Sequence, residues 1–372
     1  MHRHVSMFKP VYLPEMGQVA DAVLRSGQIA SGSSLATFRE TFGQWIEQDQ
    51  VTLTSDMSSA MRIALHLCDV GPGDDVLTPA FACLSTTAPI ANSGAKPVWI
   101  DVDPRTGLID PECLRQSITG RSKAVIAYHL AGYPCELEAL AAICREYGLP
   151  LIEDCNNALG ARIGGQPIGS VGDFAVYSFY PTRQLNGIEG GALVCKNIDH
   201  LRRAHRLTRF GIDSVTFRDA TGEINSGSQI DDVGWSAAMN NVNAAVALAQ
   251  IPSLSGRLAQ VREVARDLSQ RLDEIAGVTV VQATPGATPG HWALLVKVES
   301  AQPVLGHLKI AGVQASGLHQ RNDTYLGFRA EHRLLKGTDE WCASAVGLPC
   351  GWWMNDWDAE HIVRSIAAAV AA

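Results

Sequence analysis

Charge is scarce in this chain. Only 18% of the 372 residues are Asp, Glu, Lys or Arg, against 46% apolar. That balance excludes disorder as the main state and leaves material for a sizeable core. Lysine is scarcer still, at 7 of the 30 basic residues, the other 23 being arginine. Such a bias usually reflects GC-rich coding, but it makes every lysine position informative. No window approaches the ~18 uninterrupted apolar residues of a membrane-spanning helix. The opening stretch MHRHVSMFKPVYLPEM lacks the apolar segment of a secretory signal. The nine cysteines are scattered, odd in number and without a CxxC pair, so neither a metal cluster nor a disulfide framework is expected. Reduced thiols in a cytoplasmic protein fit better. A formal net charge of −8 argues against a nucleic-acid or anionic-membrane partner.

What is present is alternation. Ser58 to Cys68 reads as an amphipathic helix stopped by GPGD at 71–74. Short apolar runs follow at 75–78, 97–100, 124–127, 151–153 and 174–178, with helical stretches at 111–117 and 136–147 between them. Strands alternating with helices imply an α/β fold with a mainly parallel sheet. In such sheets ligands bind at the carboxyl ends of the strands. The pattern changes after residue 240, where long helical text and short strands read as a smaller α+β unit. The expected division is a large domain over 1–254, N-terminal segment included, and a small one over 255–372. The glycine-rich stretch 220–234 reads as a loop.

Three segments hold candidate chemistry. LIEDCNNALGA (151–161) ends a buried run on Glu153 and Asp154, and a carboxylate there needs a cationic partner or serves as a helix cap. FAVYSFYPTRQLNGIEGG (174–191) delivers Ser178 into a turn whose hydroxyls and N–H groups suit a phosphate, or which is an ordinary loop. TSDMSSAM (54–61) places Ser58 at a helix start, where an anion is favoured.

The order and spacing of these segments resemble the DegT/DnrJ/StrS sugar aminotransferases, fold-type I enzymes dependent on pyridoxal phosphate (PLP). The resemblance covers most of the chain and is densest in VGPGDDVLTPAF, GAKPVWIDVDPRTGLIDPE, YHLAGYP, LIEDCNNALGA, SFYPTRQLNGIEGGALV and RFGID. It implies a large domain with a mainly parallel sheet flanked by helices, a small C-terminal domain, a homodimer, and a sugar or nucleotide-sugar substrate from antibiotic or surface-glycan biosynthesis. By position, Asp154 would pair with the pyridine nitrogen and Asn157 would stand near the phenolic oxygen. Ser178 with Met57 and Ser58 would hold the phosphate. His129 falls in the HLYG-like segment, Glu189 in the GEGG-like run, and His319 in the C-terminal stretch facing the substrate.

The chain departs from the family pattern at the residue the chemistry needs most. The motif SF-x-x-x-K puts Arg183 where the family has its Schiff-base lysine, and no lysine lies within ten residues of it. A guanidinium stays protonated and is a poor nucleophile, so lysine-dependent transamination is not expected. The usual Ser-Gly-Thr phosphate turn reads Asp56-Met57-Ser58, and Cys83 stands where an aromatic usually stacks on the cofactor ring. Arg183 could pair with Asp154, bind a substrate phosphate or carboxylate, or be structural. Three functions follow: a PLP-independent isomerase, epimerase or dehydratase with His129, His319, Asp154 and Glu153 as candidate acids and bases; an aminotransferase or dehydratase holding PLP or pyridoxamine phosphate (PMP) without a covalent link; or a silent partner of an active paralogue. No metal is expected.

Overall fold

The structure, a computed structural model, describes residues 4–328, 330–331 and 333–371. The chain runs through α1 (Pro14–Ser26), α2 (Ser33–Trp45), β1 (Val51–Thr54), α3 (Met57–Leu67), β2 (Asp75–Pro79), α4 (Leu84–Asn92) and β3 (Lys96–Ile100). It continues with α5 (Pro111–Ser117), β4 (Ser122–Tyr128), α6 (Leu137–Tyr147), β5 (Leu151–Asp154), the short strands β6 (Arg162–Ile163) and β7 (Gln166–Pro167), β8 (Phe174–Ser178), β9 (Gly191–Cys195) and α7 (Ile198–Leu207). The last part holds α8 (Asn241–Leu248), α9 (Ile251–Asp273), β10 (Thr279–Val280), β11 (Ala287–Thr288), β12 (Leu294–Lys297), α10 (Ala301–Ile310), α11 (Lys336–Ser344), β13 (Ala345–Leu348) and α12 (Asp356–Val370).

Seven strands form one sheet in the order β1-β9-β8-β5-β4-β2-β3. Its pairs from β8 to β3 are parallel, and β9 runs antiparallel to both of its neighbours. This is the expected α/β architecture. Side chains alternate between the two faces of each strand. In β8, Phe174 and Val176 join the apolar cluster under α3 and α7, while Ala175 and Tyr177 join the one under α2 and α8. Helices therefore cover both faces, as a buried parallel sheet requires. No element forms between Leu207 and Asn241 among the described residues, in line with the loop expected over 220–234.

The C-terminal unit has its own antiparallel sheet, β10-β12-β13, packed against α9, α10 and α12 around a separate core. The boundary expected at 254/255 falls inside α9, which starts on Ile251 with Pro252 in its first turn, where a missing N–H costs nothing. Val5, expected to belong with the large domain, instead bridges to Val313 and is buried in the C-terminal core. No described helix is long and apolar enough to cross a membrane.

The α2 face is organised by Phe42, fully buried between Tyr177 (centroids 5.4 Å) and Phe179 (5.0 Å), both edge-on. Phe42→Ala is expected to lower unfolding stability by about 3–5 kcal/mol, measured by chemical denaturation.

Candidate active site

Strand geometry gathers the candidate residues. Tyr128 ends β4, Asp154 ends β5 directly beside it in register, and Ser178 ends β8 one strand further on. The carboxyl ends of three neighbouring strands thus form one rim. Gly191, paired with Ser178 across β9, sets the depth of the rim on one side. A Cβ there would lie 2.7 Å from the backbone of Asp56, so glycine lets the strand pair close against the start of α3.

Two adjacent acids are separated by strand alternation. Asp154 turns one way, where its Oδ2 accepts the Thr86 hydroxyl at 2.6 Å and its Oδ1 accepts the backbone and side-chain N–H groups of Asn156 at 3.0 and 2.8 Å. Burial pushes its carboxyl above the usual carboxylate range. Glu153 turns the other way and accepts the backbone N–H groups of Gly169, Val171 and Gly172 at 2.6–2.8 Å. Its Oε2 also meets His129 Nε2 at 3.2 Å. Burial opposes its charged form, yet His129 and those N–H donors hold it below the usual range.

His129 therefore does not present a free ring to the rim. The Cys135 N–H points at its Nδ1 at 3.1 Å, so the ring proton sits on Nε2 and faces Glu153. Both nitrogens are engaged and the residue has no exposure. Cys155 lies within 4.8 Å of the same cluster, but these donor atoms are already used by one another and by backbone. Of the four acids and bases expected from the sequence, Glu153 and His129 are thus tied into the support beneath the site, while Asp154 and His319 are at its rim.

His319 reaches the rim from the C-terminal unit. Its Nε2 lies 2.8 Å from the Tyr128 hydroxyl, and its ring packs edge-on against Phe81 and Tyr128. Burial, then the charge of Arg183, lowers its pKa to about 4, so the ring is neutral at ordinary pH. Tyr128 also accepts the Asn157 Nδ2–H at 2.7 Å, and burial holds its phenol in the protonated form. Tyr128, Thr86 and Asn156 are not among the residues expected from the sequence. Tyr128 was within reach there, as the residue directly after the 124–127 apolar run; Thr86 carries no comparable signal.

Arg183 is buried, with 8% exposure. Its Nη1 donates to Thr182 Oγ1 at 3.0 Å, its Nε has no partner, and its guanidinium lies over the Trp292 indole at 5.1 Å. Trp292 is fixed in turn by Phe8, stacked at 4.0 Å, and by its indole N–H donating to Thr182 O. The ion pair with Asp154 that one sequence reading allowed is not made. Among the described residues no carboxylate lies within the 4.0 Å of an ion pair with Arg183. The oxygens of Asp154 are committed to Thr86 and Asn156 instead.

At the start of α3 the anion site is occupied by the chain's own side chain. Asp56 is the N-cap, its Oδ1 accepting the Ser59 N–H at 2.8 Å and its Oδ2 accepting the Ser55 and Ser59 hydroxyls at 2.8 and 2.7 Å. Against the opposing effect of burial, these bonds and Arg62 keep Asp56 ionised and below its ordinary range. Met57 is buried in the core below, and Ser58 is partly exposed beside it. Ser178 Oγ accepts the Tyr180 N–H at 3.3 Å. Glu189 is exposed at the edge, its carboxyl raised by partial burial and by the charge of Asp56. Cys83 is partly buried and accepts the Ser85 hydroxyl at 3.1 Å.

Two stability measurements test this arrangement. Glu153→Ala leaves three backbone donors, two of them fully buried, without an acceptor, and a loss of about 3–5 kcal/mol is expected in denaturant titration, with Glu153→Gln losing less. For His319, the folded value of about 4 lies below the ordinary 6.5, so between those values only the unfolded chain binds the proton. Its contribution is full above pH ~6.5 and is lost as pH falls toward 4, at up to about 1.4 kcal/mol per pH unit. His319→Asn is expected to flatten that slope; an unchanged slope would show that the ring does not titrate this way.

Comparison with known proteins accords with this architecture. The model of the DegT/DnrJ/EryC1/StrS aminotransferase family matches residues 14–367. A protein of Geobacillus stearothermophilus described as a pleiotropic regulatory protein is 32% identical over 279 residues, 75% of this chain and 72% of that one. Among solved structures, the sugar aminotransferase CalS13 of Micromonospora echinospora superposes with a TM-score of 0.92 at 27% identity, covering 98% of this chain and 99% of that one. The aminotransferase TlmJ of Streptoalloteichus hindustanus gives 0.92 at 25% identity over 99% of both chains. Family model and structural likeness extend over nearly the whole length, and the chain belongs to the DegT/DnrJ/EryC1/StrS aminotransferase family.

Proposed function

We propose that this chain is a sugar-modifying enzyme of that family which has left lysine-dependent transamination and works by proton transfer at the sugar, as an isomerase, epimerase or dehydratase. The observation that carries the reading is Arg183, a buried guanidinium at the position where the resemblance puts the Schiff-base lysine. Two of the seven lysines are engaged away from this rim: Lys196 Nζ donates to Val171 O, and Lys297 to Pro104 O with Glu340 beside it.

The family's cofactor does not fit these residues. Asp154 suits a pyridine nitrogen, since a buried acid there would gain a cationic partner. Three other requirements go unmet. No lysine stands in the 178–191 turn to meet the aldehyde. The N-terminus of α3 is capped by the Asp56 carboxylate, which repels a phosphate dianion at the place that should attract one. Cys83 offers no ring for the cofactor to stack on.

The rim supplies an acid and a base of its own. His319, neutral and hydrogen-bonded to Tyr128, can take a proton from a carbon beside a sugar carbonyl. Tyr128, protonated and supported by Asn157, can give its O–H proton to the carbonyl oxygen and be reprotonated by the adjacent His319 Nε2, which passes on the proton gained from carbon. Arg183 is a fixed cation for the negative charge that develops. In a homodimer the exposed Tyr180 and Ile188 beside this turn would be covered by the second subunit.

Two experiments test the reading. Purified protein incubated with PLP or PMP is expected to show no absorption band of bound cofactor after gel filtration. A retained band would favour the non-covalent cofactor reading. With nucleotide-linked sugars in D2O, deuterium is expected to enter a carbon-bound position of the sugar. His319→Asn and Tyr128→Phe should each lower that exchange about 10²-fold or more, and its acid limb should lie near pH 4 rather than 6.5. No exchange with any sugar would leave the silent-partner reading standing.

A further inference from the structure

Proton transfer uses the charge of Arg183 only while negative charge develops, and in the resting site that charge faces no anion among the described residues. A guanidinium does not lose its proton in a protein, and burying one is tolerated when an anion faces it. Here it sits at 8% exposure with its Nε unpartnered and a single hydroxyl, Thr182 Oγ1, as its hydrogen-bonded neighbour. Trp292 closes one face of the plane at 5.1 Å. Beside the same Tyr128, Asn157 is fully buried with its Nδ2 spent on the phenol and its Oδ1 free of any partner. A cation with an unused N–H and an amide with an unused acceptor thus stand around one tyrosine. Each costs free energy while unpaired, and together they describe what is missing.

We propose that the substrate carries a carboxylate received by Arg183, which makes it a sugar acid of the uronate class, with Asn157 Oδ1 accepting a hydroxyl of the same sugar. The inference rests on the reading above that the site takes a sugar. Two features select carboxylate over phosphate. The guanidinium is a planar fork that matches a carboxylate edge in two parallel hydrogen bonds. One such charge balances a monoanion, whereas a dianion would keep an uncompensated charge in a site already bordered by the Asp56 carboxylate. The family's lysine could not do this, since its point charge lacks the fork.

Binding measured by saturation-transfer NMR on the full chain tests the proposal, with glucuronate, galacturonate and mannuronate set against glucose, galactose and mannose, and inorganic phosphate as competitor. At least one uronate is expected to bind tenfold or more tighter than its parent hexose. Arg183→Gln should remove that preference, a loss of about tenfold or more, while Arg183→Lys keeps the charge and part of the preference. Asn157→Ala should weaken acid and neutral sugar alike, which keeps the test informative if Arg183→Gln does not fold. Equal binding of acid and hexose, an unaltered preference in Arg183→Gln, tighter binding of phosphate than of every uronate, or no uronate binding would each overturn the proposal. Deuterium exchange separates the two readings: a uronate preference without exchange sinks proton transfer alone, and exchange on neutral sugars without a preference sinks the carboxylate alone.

Discussion

Glu153 ties the support of the site together. A carboxylate with no exposure accepts three backbone N–H groups from the 169–172 turn and faces the imidazole of His129, which is itself fixed by the Cys135 N–H. Three segments remote in sequence meet on one side chain at the end of β5. Burying a charge is tolerable when every lone pair is used, and here the donors are backbone groups that would otherwise be orphaned. The rim residues Tyr128 and Asp154 stand on the strands this network locks in register, so their relative placement is inherited from it.

On that support the site carries an unusual charge arrangement. Asp154 is buried, satisfied by neutral donors and shifted toward its neutral form. Arg183 is buried without a carboxylate and supported by an indole and a hydroxyl. Asp56 supplies a negative charge where the helix start would attract a ligand's. Each feature alone could be a single substitution. Together they set a cation, a protonated phenol and a neutral imidazole at one rim.

Much of the framework was legible in the sequence because it rests on local rules. The apolar runs at 75–78, 97–100, 151–153 and 174–178 became strands of the central sheet, since short β-rich runs between helices have few other ways to bury both faces. The turn chemistry at 71–74 was equally readable. The division of labour between Glu153 and Asp154 was not. They are adjacent in sequence, and the strand's period of two sends them to opposite faces. His129 looked like a rim residue for the same reason: its segment was in the right place, but ring orientation depends on partners 6 and 24 residues away.

By itself the sequence determined the α/β class, the alternation of strands and helices from about residue 50 to 200, the family likeness and the presence of arginine at 183. These follow from periodicity, from turn residues and from the identity of one side chain at one motif position. Tertiary structure alone decided that Arg183 has no carboxylate partner among the described residues, that Asp56 caps α3 and that Tyr128, Asn157 and His319 share one hydrogen-bonded cluster. Each of these depends on which atoms of distant segments come within about 3 Å, and hydrogen bonds have no reach beyond that. Residue type fixes what a group can donate or accept, and only packing fixes which groups are left with nothing to bind.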